Sequence, residues 1–296
     1  ARRSGTGKGL HMNLSTTGLC LAADAALDLH MHTTHSDGRW TPEALLDHLL
    51  DEEFALAAIA DHDRADTVAT VQQLAMEKGV PVLVAVEMSA TWKGELTDLV
   101  CYGFDPNESA LNDLSQDVMR RQQENTMEVY EDLLRQGYLL TPDALAEVLV
   151  TPSVRQPDAL VALLKGQGYG LGEPPAGRIL REAGCAFATN DPAAVVEAAH
   201  RSGAVCLLAH PGRGDGFVTF DLDLLDEFLR EAPINGLEVY YPVHTPAQRD
   251  MFREYARRHG LLVSAGSDSH GPHRPPIKYR AELSRGLLER VGIQIG

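Results

Sequence analysis

Short apolar runs alternate along most of the chain with longer stretches in which apolar residues recur at helical spacing. Leu21–Leu29, Phe54–Ala60, Val80–Val86, Thr97–Phe104, Ala204–Ala209, Ile234–Tyr241 and Leu261–Ala265 read as strands. Thr41–Glu53 puts Ala44, Leu45, Leu49 and Leu50 on one face and acids on the other, with Thr41 as N-cap and Pro42 in the first turn. Thr67–Lys78, closed by Gly79, and the charged stretch Thr245–His259 also read as helices. Strand and helix in alternation imply parallel strands joined by helical crossovers.

Between Pro106 and Pro192 the texture changes. Residues 107–136 read as one or two polar helices with Leu111, Leu114, Val118, Met127, Tyr130, Leu133 and Leu134 inward, and Thr141-Pro142-Asp143 and Gln156-Pro157-Asp158 start two more. No convincing strand interrupts them, and both ends of the segment join strand termini, so 106–192 is expected to be a helical insertion capping the mouth of a barrel built from 14–105 and 193–296. Residues 1–13, basic and Gly-rich, are expected to be a flexible leader.

Chemistry gathers where strands should end. His30 and His32 alternate on one strand face and can meet one ion, and Asp37 follows in a loop closed by Gly38. Asp61-His62-Asp63, Glu87, His210-Pro211-Gly212 and Asp268-Ser269-His270 each follow an apolar run. Core packing gives no reason for this repetition, whereas an α/β barrel keeps its active site at the carboxyl ends of its strands.

Composition narrows the partners. With 296 residues, 44% hydrophobic and 23% charged, the chain can hold one large α/β domain. A formal net charge of −16 argues against a general binder of long nucleic acid. No apolar run approaches a transmembrane length, and Cys20, Cys101, Cys185 and Cys206 lack paired spacing, so a reduced, cytoplasmic protein is expected.

His-x-His-Thr-x-x-Ser-Asp-Gly, Asp-His-Asp, Val-Glu-Met-Ser, Ala-His-Pro-Gly-Arg and Gly-Ser-Asp-Ser-His-Gly, in that order, closely resemble the motifs of the PHP (polymerase and histidinol phosphatase) superfamily. Within it the chain is similar to metal-dependent phosphoesterases acting on nucleoside mono- and bisphosphates or short oligonucleotides. The resemblance implies an α/β fold, a distorted (β/α)7 TIM-like barrel holding two or three divalent ions. It assigns His30, His32, Glu87 and Asp268 to one site, Glu87 as a bridge with His210 to a second, and Asp37, His62 and His270 to a third. Mixed imidazole and carboxylate ligands suit Mn, Fe or Zn.

Two positions depart from the pattern. Asp98 stands where relatives commonly carry histidine, and either replaces that ligand, shifting preference toward Mn or Mg, or leaves the second ion weakly held. In the helical middle Val154-Arg155-Gln156-Pro157 keeps the arginine of an Arg-Pro-His motif, a candidate phosphate clamp, and lacks its histidine. Arg213 and His244 are further candidates to touch substrate, and Asp61 and Asp63 flank His62 as carboxylates that can orient an imidazole. His35 reads as a loop residue rather than a ligand, and Tyr240 and Tyr241 as barrel filling or a stacking surface.

The chemistry expected is metal-assisted in-line attack of water on phosphorus, releasing inorganic phosphate from a small phosphorylated substrate, with Asp63, His244 or water protonating the leaving group. Alternatives are a phosphatase of histidinol phosphate, a sugar or a cyclic phosphate; an amidohydrolase, disfavoured because only Lys93 lies near a strand end; and a metal-stabilised scaffold.

Overall fold

The computed structural model describes residues 15–107 and 109–296. The expected leader, with His11, lies outside them. Its centre is one mixed sheet of β1 (Ala26–Met31), β2 (Leu56–Ile59), β3 (Val82–Met88), β4 (Leu99–Tyr102), β5 (Val205–Leu208), β6 (Gly236–Tyr240), β7 (Leu262–Ala265) and β8 (Tyr279–Arg280). The order across the sheet is β7-β6-β5-β4-β3-β2-β1-β8. Beyond β7 the chain returns to β1: His32 N–H donates to Ser269 O at 2.9 Å and Asp268 N–H to His30 O at 2.8 Å, so the sheet is a nearly closed barrel.

Alternation within the strands explains both the packing and the site. In β3, Val84, Val86 and Met88 join an apolar cluster with helix residues Val195, Val196 and Phe228, while Leu83 and Ala85 join a second with Leu56, Ala58, Val100, Tyr102 and Leu207. Glu87 shares the parity of Leu83 and Ala85, so the strand that buries those apolar residues also carries a carboxylate into the barrel end.

Helices α1 (Pro42–Asp51), α2 (Val68–Lys78), α3 (Ala110–Arg135), α4 (Pro142–Leu149), α5 (Gln156–Gly166), α6 (Ala176–Glu182), α7 (Pro192–Arg201), α8 (Leu222–Glu231), α9 (Pro246–His259) and α10 (Arg285–Arg290) surround or extend the barrel. Local chemistry sets their starts. The Thr41 side chain accepts from Ala44 N–H, and Thr245 and Gln248 form a reciprocal capping box. Segment α3–α6 has its own apolar cluster of Val129, Leu133, Val148, Leu160, Leu164, Ile179 and Leu180, and α3 also reaches the barrel through Leu111.

The structure corrects four details of the pattern reading. The run Leu21–Leu29 is broken by a turn, Ala25 N–H to Ala22 O, which leaves Cys20–Leu21 to pair with Gln294–Ile295 while β1 begins at Ala26. β4 is antiparallel to both neighbours, because the link from β3, residues 89–98, holds only a small hairpin and no crossover helix. Leu50, Met127 and Leu134 face outward, since the buried stripes run through Leu45, Leu46 and Leu49 in α1 and through Thr126, Val129 and Leu133 in α3. Helices α6, α8 and α10 carry no counterpart in the pattern reading. Among the described residues no helix is long and apolar enough to cross a membrane, and all four cysteines are free.

Candidate metal centre

β1 delivers three polar side chains of one parity. Asp28 accepts backbone N–H bonds from His30, Ser267 and Ile277, and His30 and His32 follow it toward the barrel end. Two glycines make room for them. A Cβ at Gly38 would collide with the His32 carbonyl, and one at Gly266 with the His30 side chain and Glu238 Oε1. The intervening loop hangs on Asp61, which accepts from Thr33 N–H, Thr33 Oγ1 and Ser36 Oγ at 2.6–2.7 Å. Asp61 therefore orients the loop between ligands rather than an imidazole.

Glu87 is the hub. Its Oε2 lies 2.9 Å from His30 Nε2, 3.1 Å from His32 Nε2 and 3.3 Å from His62 Nε2, and its Oε1 lies 3.2 Å from His210 Nε2. Three groups offer ligand atoms within 4.8 Å of one another: His30, His32, Glu87 and Asp268; His32, Asp37, His62 and His270; and His62, Glu87 and Asp98. The first group is the one the motifs imply. The second adds His32 to the implied set, and the third pairs Glu87 and Asp98 with His62, while His210 approaches the other oxygen of Glu87. Two candidate ligand positions are also backbone outliers: His210 and Asp268 adopt φ of 29° and 53°, in the left-handed region that costs a side-chain-bearing residue energy, as does neighbouring Asp63 at 54°.

The electrostatics of this cluster suit a cation. Burial opposes charge on Asp268 and Asp37, yet His32 and His30 beside the first, and His62 and His270 beside the second, hold both carboxyls far below the usual range. Burial likewise opposes a charged His32, but Asp268 and Glu87 overcome it and push the imidazole up to about 10. Glu87, against burial, is held well down by His30 and His62. Asp98 is pushed well up, by burial first and then by Glu87 and Asp63. Burial opposes charge on His30 too, yet Glu87 and Glu238 push it well up, so His30 and His32 put positive charge beside the buried acids, whereas burial lowers His62. A divalent ion supplies the same charge with the donor set that borderline metals favour, and His32 Nδ1, buried without a hydrogen-bond partner, is an orphan atom of the kind an ion satisfies.

The remaining candidates divide. Asp63 is buried beside the cluster, accepts from Ser89 N–H at 3.0 Å, and burial pushes its carboxyl up to about 7. Arg213 lies 3.7 Å from Asp268 Oδ2 with its guanidinium over the Phe217 ring. Arg155 reaches from the start of α5 to donate to the carbonyls of Asp37 and Gly38. His244 is not available to a substrate: its Nε2 accepts from Gly212 N–H and its Nδ1 meets Val239 O, each at 3.0 Å, so it fixes the loop after His210. His35 is a loop residue outside all three groups.

Sequence reasoning missed two residues. Arg274 donates to Ser267 O, Tyr241 Oη and Asp268 Oδ2, so Asp268 turns one oxygen to imidazoles and the other to arginines. Glu238 sits in β6 behind His30 and His210. Its only sequence signal was a lone acid inside an apolar strand.

No protein-family model matches the chain. It is 28% identical over 252 residues to the 3',5'-nucleoside bisphosphate phosphatase of Chromobacterium violaceum, covering 84% of this chain and 88% of that one. It is 29% identical over 287 residues to a 5'-3' exoribonuclease of Salmonella typhimurium, covering 90% and 91%. Among solved structures, a Bifidobacterium adolescentis protein described as a metal-dependent phosphoesterase superposes with a TM-score of 0.68 at 24% identity, covering 92% of this chain and 96% of that one; this likeness concerns the fold. The names of these sequence relatives are of enzymes that cleave phosphoesters, the class of activity that the motif resemblance implies.

Proposed function

We propose that this chain is a metal-dependent phosphoesterase that releases phosphate from a small phosphorylated substrate, a nucleoside mono- or bisphosphate or the end of a short oligonucleotide. The observation that carries the reading is the convergence of His30, His32, Glu87 and Asp268, which come from the ends of three separate strands, β1, β3 and β7, with ligand atoms within 4.8 Å of one another. Asp37, His62, Asp98, His210 and His270 extend that set to hold two or three ions of Mn, Fe or Zn, with Mg accommodated through Asp98.

Bound there, divalent ions would supply a water acidic enough to attack phosphorus near neutral pH and positive charge against the phosphoryl oxygens. The chain's own residues do the rest. Arg213 lies beside Asp268 with its side chain partly exposed, and with Arg155 it can bind phosphoryl oxygens in the two-pronged manner of guanidinium groups. Asp63, its carboxyl pushed up to about 7, is protonated in about half of the molecules at neutral pH and can give that proton to the leaving alkoxide.

In this reading the barrel is a distorted (β/α)7 barrel of the PHP type formed by 14–105 and 193–296, with short β8 antiparallel beside β1. Residues 106–192 cap its mouth, a placement supported by the Arg155 bonds to the Asp37–Gly38 loop. Four free cysteines accord with a reduced, cytoplasmic setting. Phosphate release should be assayed with added Mn across nucleoside mono- and bisphosphates, short oligonucleotides, sugar phosphates and histidinol phosphate. Release from the nucleotide group supports the reading; release from none of them would return the chain to the scaffold alternative.

A further inference from the structure

β6 carries one acid, Glu238, and it is about 1% exposed. Both of its oxygens are committed. Oε1 lies 3.0 Å from Nδ1 of His30, and Oε2 accepts the backbone N–H of His210 at 2.9 Å. Gly266 lets this happen, because a Cβ there would run into both Glu238 Oε1 and the His30 side chain. One carboxylate therefore holds the ring of one proposed ligand and the strained backbone, φ 29°, of another that arrives from a different strand.

We infer that Glu238 is a positioning residue that fixes the ring tautomer of His30 and the seat of His210, so that both imidazoles offer Nε2 to Glu87 and the ions beside it. The inference rests on the metal reading above. A carboxylate has no proton to give, so the partner atom His30 Nδ1 must carry a hydrogen, and Nε2, 2.9 Å from Glu87 Oε2, is the nitrogen left to surrender its proton and bind an ion. Glu238→Gln breaks this logic while keeping shape. Its carbonyl can still accept from His210 N–H, but its amide N–H then faces His30 Nδ1 and favours the opposite tautomer, with Nε2 protonated and unable to bind an ion.

The test measures Mn and Zn affinity by calorimetry, bound metal per chain by elemental analysis, and thermal unfolding of the stripped protein, for wild type and Glu238→Gln. The expected result is a melting temperature within a few degrees of wild type and affinity weaker by about 10- to 100-fold. A parallel ¹⁵N spectrum of Zn-loaded wild type, with His30 assigned through His30→Gln, should show Nδ1 protonated and Nε2 ligated. This second measurement decides the matter if the variant does not fold. Affinity in Glu238→Gln equal to wild type, or His30 ligated through Nδ1, overturns the inference. Absence of metal binding by wild type would instead overturn the metal reading itself.

Discussion

The barrel end and the α3–α6 segment handle charge in opposite ways. At the barrel end His30, His32, Glu87, His210 and Asp268 are all buried, and their charges answer one another across a few ångströms. On α3 the charges are solvated and pair along the helix, Arg120 with Asp117 and Glu124, Arg135 with Asp132, over a core of ordinary aliphatic residues. Exposed pairs of that kind contribute little, because solvent and salt screen them. Burying acids and imidazoles together costs far more unless each is paired or bound to a cation. Only the barrel end bears that cost, and the proposed chemistry is placed there, while the helical segment touches it through Arg155.

The largest expected effect comes from the barrel end. His32→Ala should lower phosphate release at least ~1,000-fold, since the nucleophile and charge stabilisation both depend on the ions it helps hold, while circular dichroism stays that of a folded protein. Turnover near wild type would remove His32 from the centre. The helical side should respond in a different currency. Leu164→Ala, at a fully buried site in the α3–α6 cluster, should cost about 2–5 kcal/mol of stability by denaturant unfolding. Metal affinity should not change; if it fell in step with stability, the two regions would not be separable as drawn.

A third effect follows from the proton that His32 carries. Its imidazole is pushed up to about 10, so in stripped protein the proton is bound at neutral pH and is lost only as pH rises through that value. An ion binding through this ring must displace it. Metal affinity should therefore rise with pH by up to about tenfold per unit, with proton release visible as a buffer-dependent calorimetric heat. Affinity that does not vary with pH near neutrality would contradict the protonated cluster. The smallest effect tests the bridge between the regions. Arg155→Met should raise KM several-fold and speed amide exchange in the Asp37–Gly38 loop, both modestly, because one guanidinium holds that loop from α5. Unchanged KM with faster exchange would make Arg155 a loop anchor and nothing more.

What could be read from the chain beforehand follows the same division. Ligand-type residues directly after short apolar runs were legible, because an isolated acid or imidazole at the end of a buried strand has no packing explanation; Glu87 after Val80–Val86 is the clearest case. Helices α1 and α2 were legible through their end signals, Thr41-Pro42 and Gly79, and α9 through its charged stretch Thr245–His259. Strand direction was not. The apolar run around Leu99–Tyr102 looks the same whichever way it pairs, and only the length of its link to β3 settles the direction. The inner face of α3 was misjudged at Met127 because polar residues occupy part of the buried stripe, with Thr126 bonded to Gln156. Glu238 and Arg274 escaped because they act through other side chains, and spacing along the chain does not record which residues lie behind a ligand.

The most direct test is anomalous X-ray scattering at the Mn edge from crystals grown with Mn. Peaks about 2.0–2.3 Å from His30, His32, Glu87 and Asp268, with at least one more sharing Glu87, are the predicted result. Full occupancy of Mn elsewhere, with only protein atoms and water between those four side chains, would contradict the account.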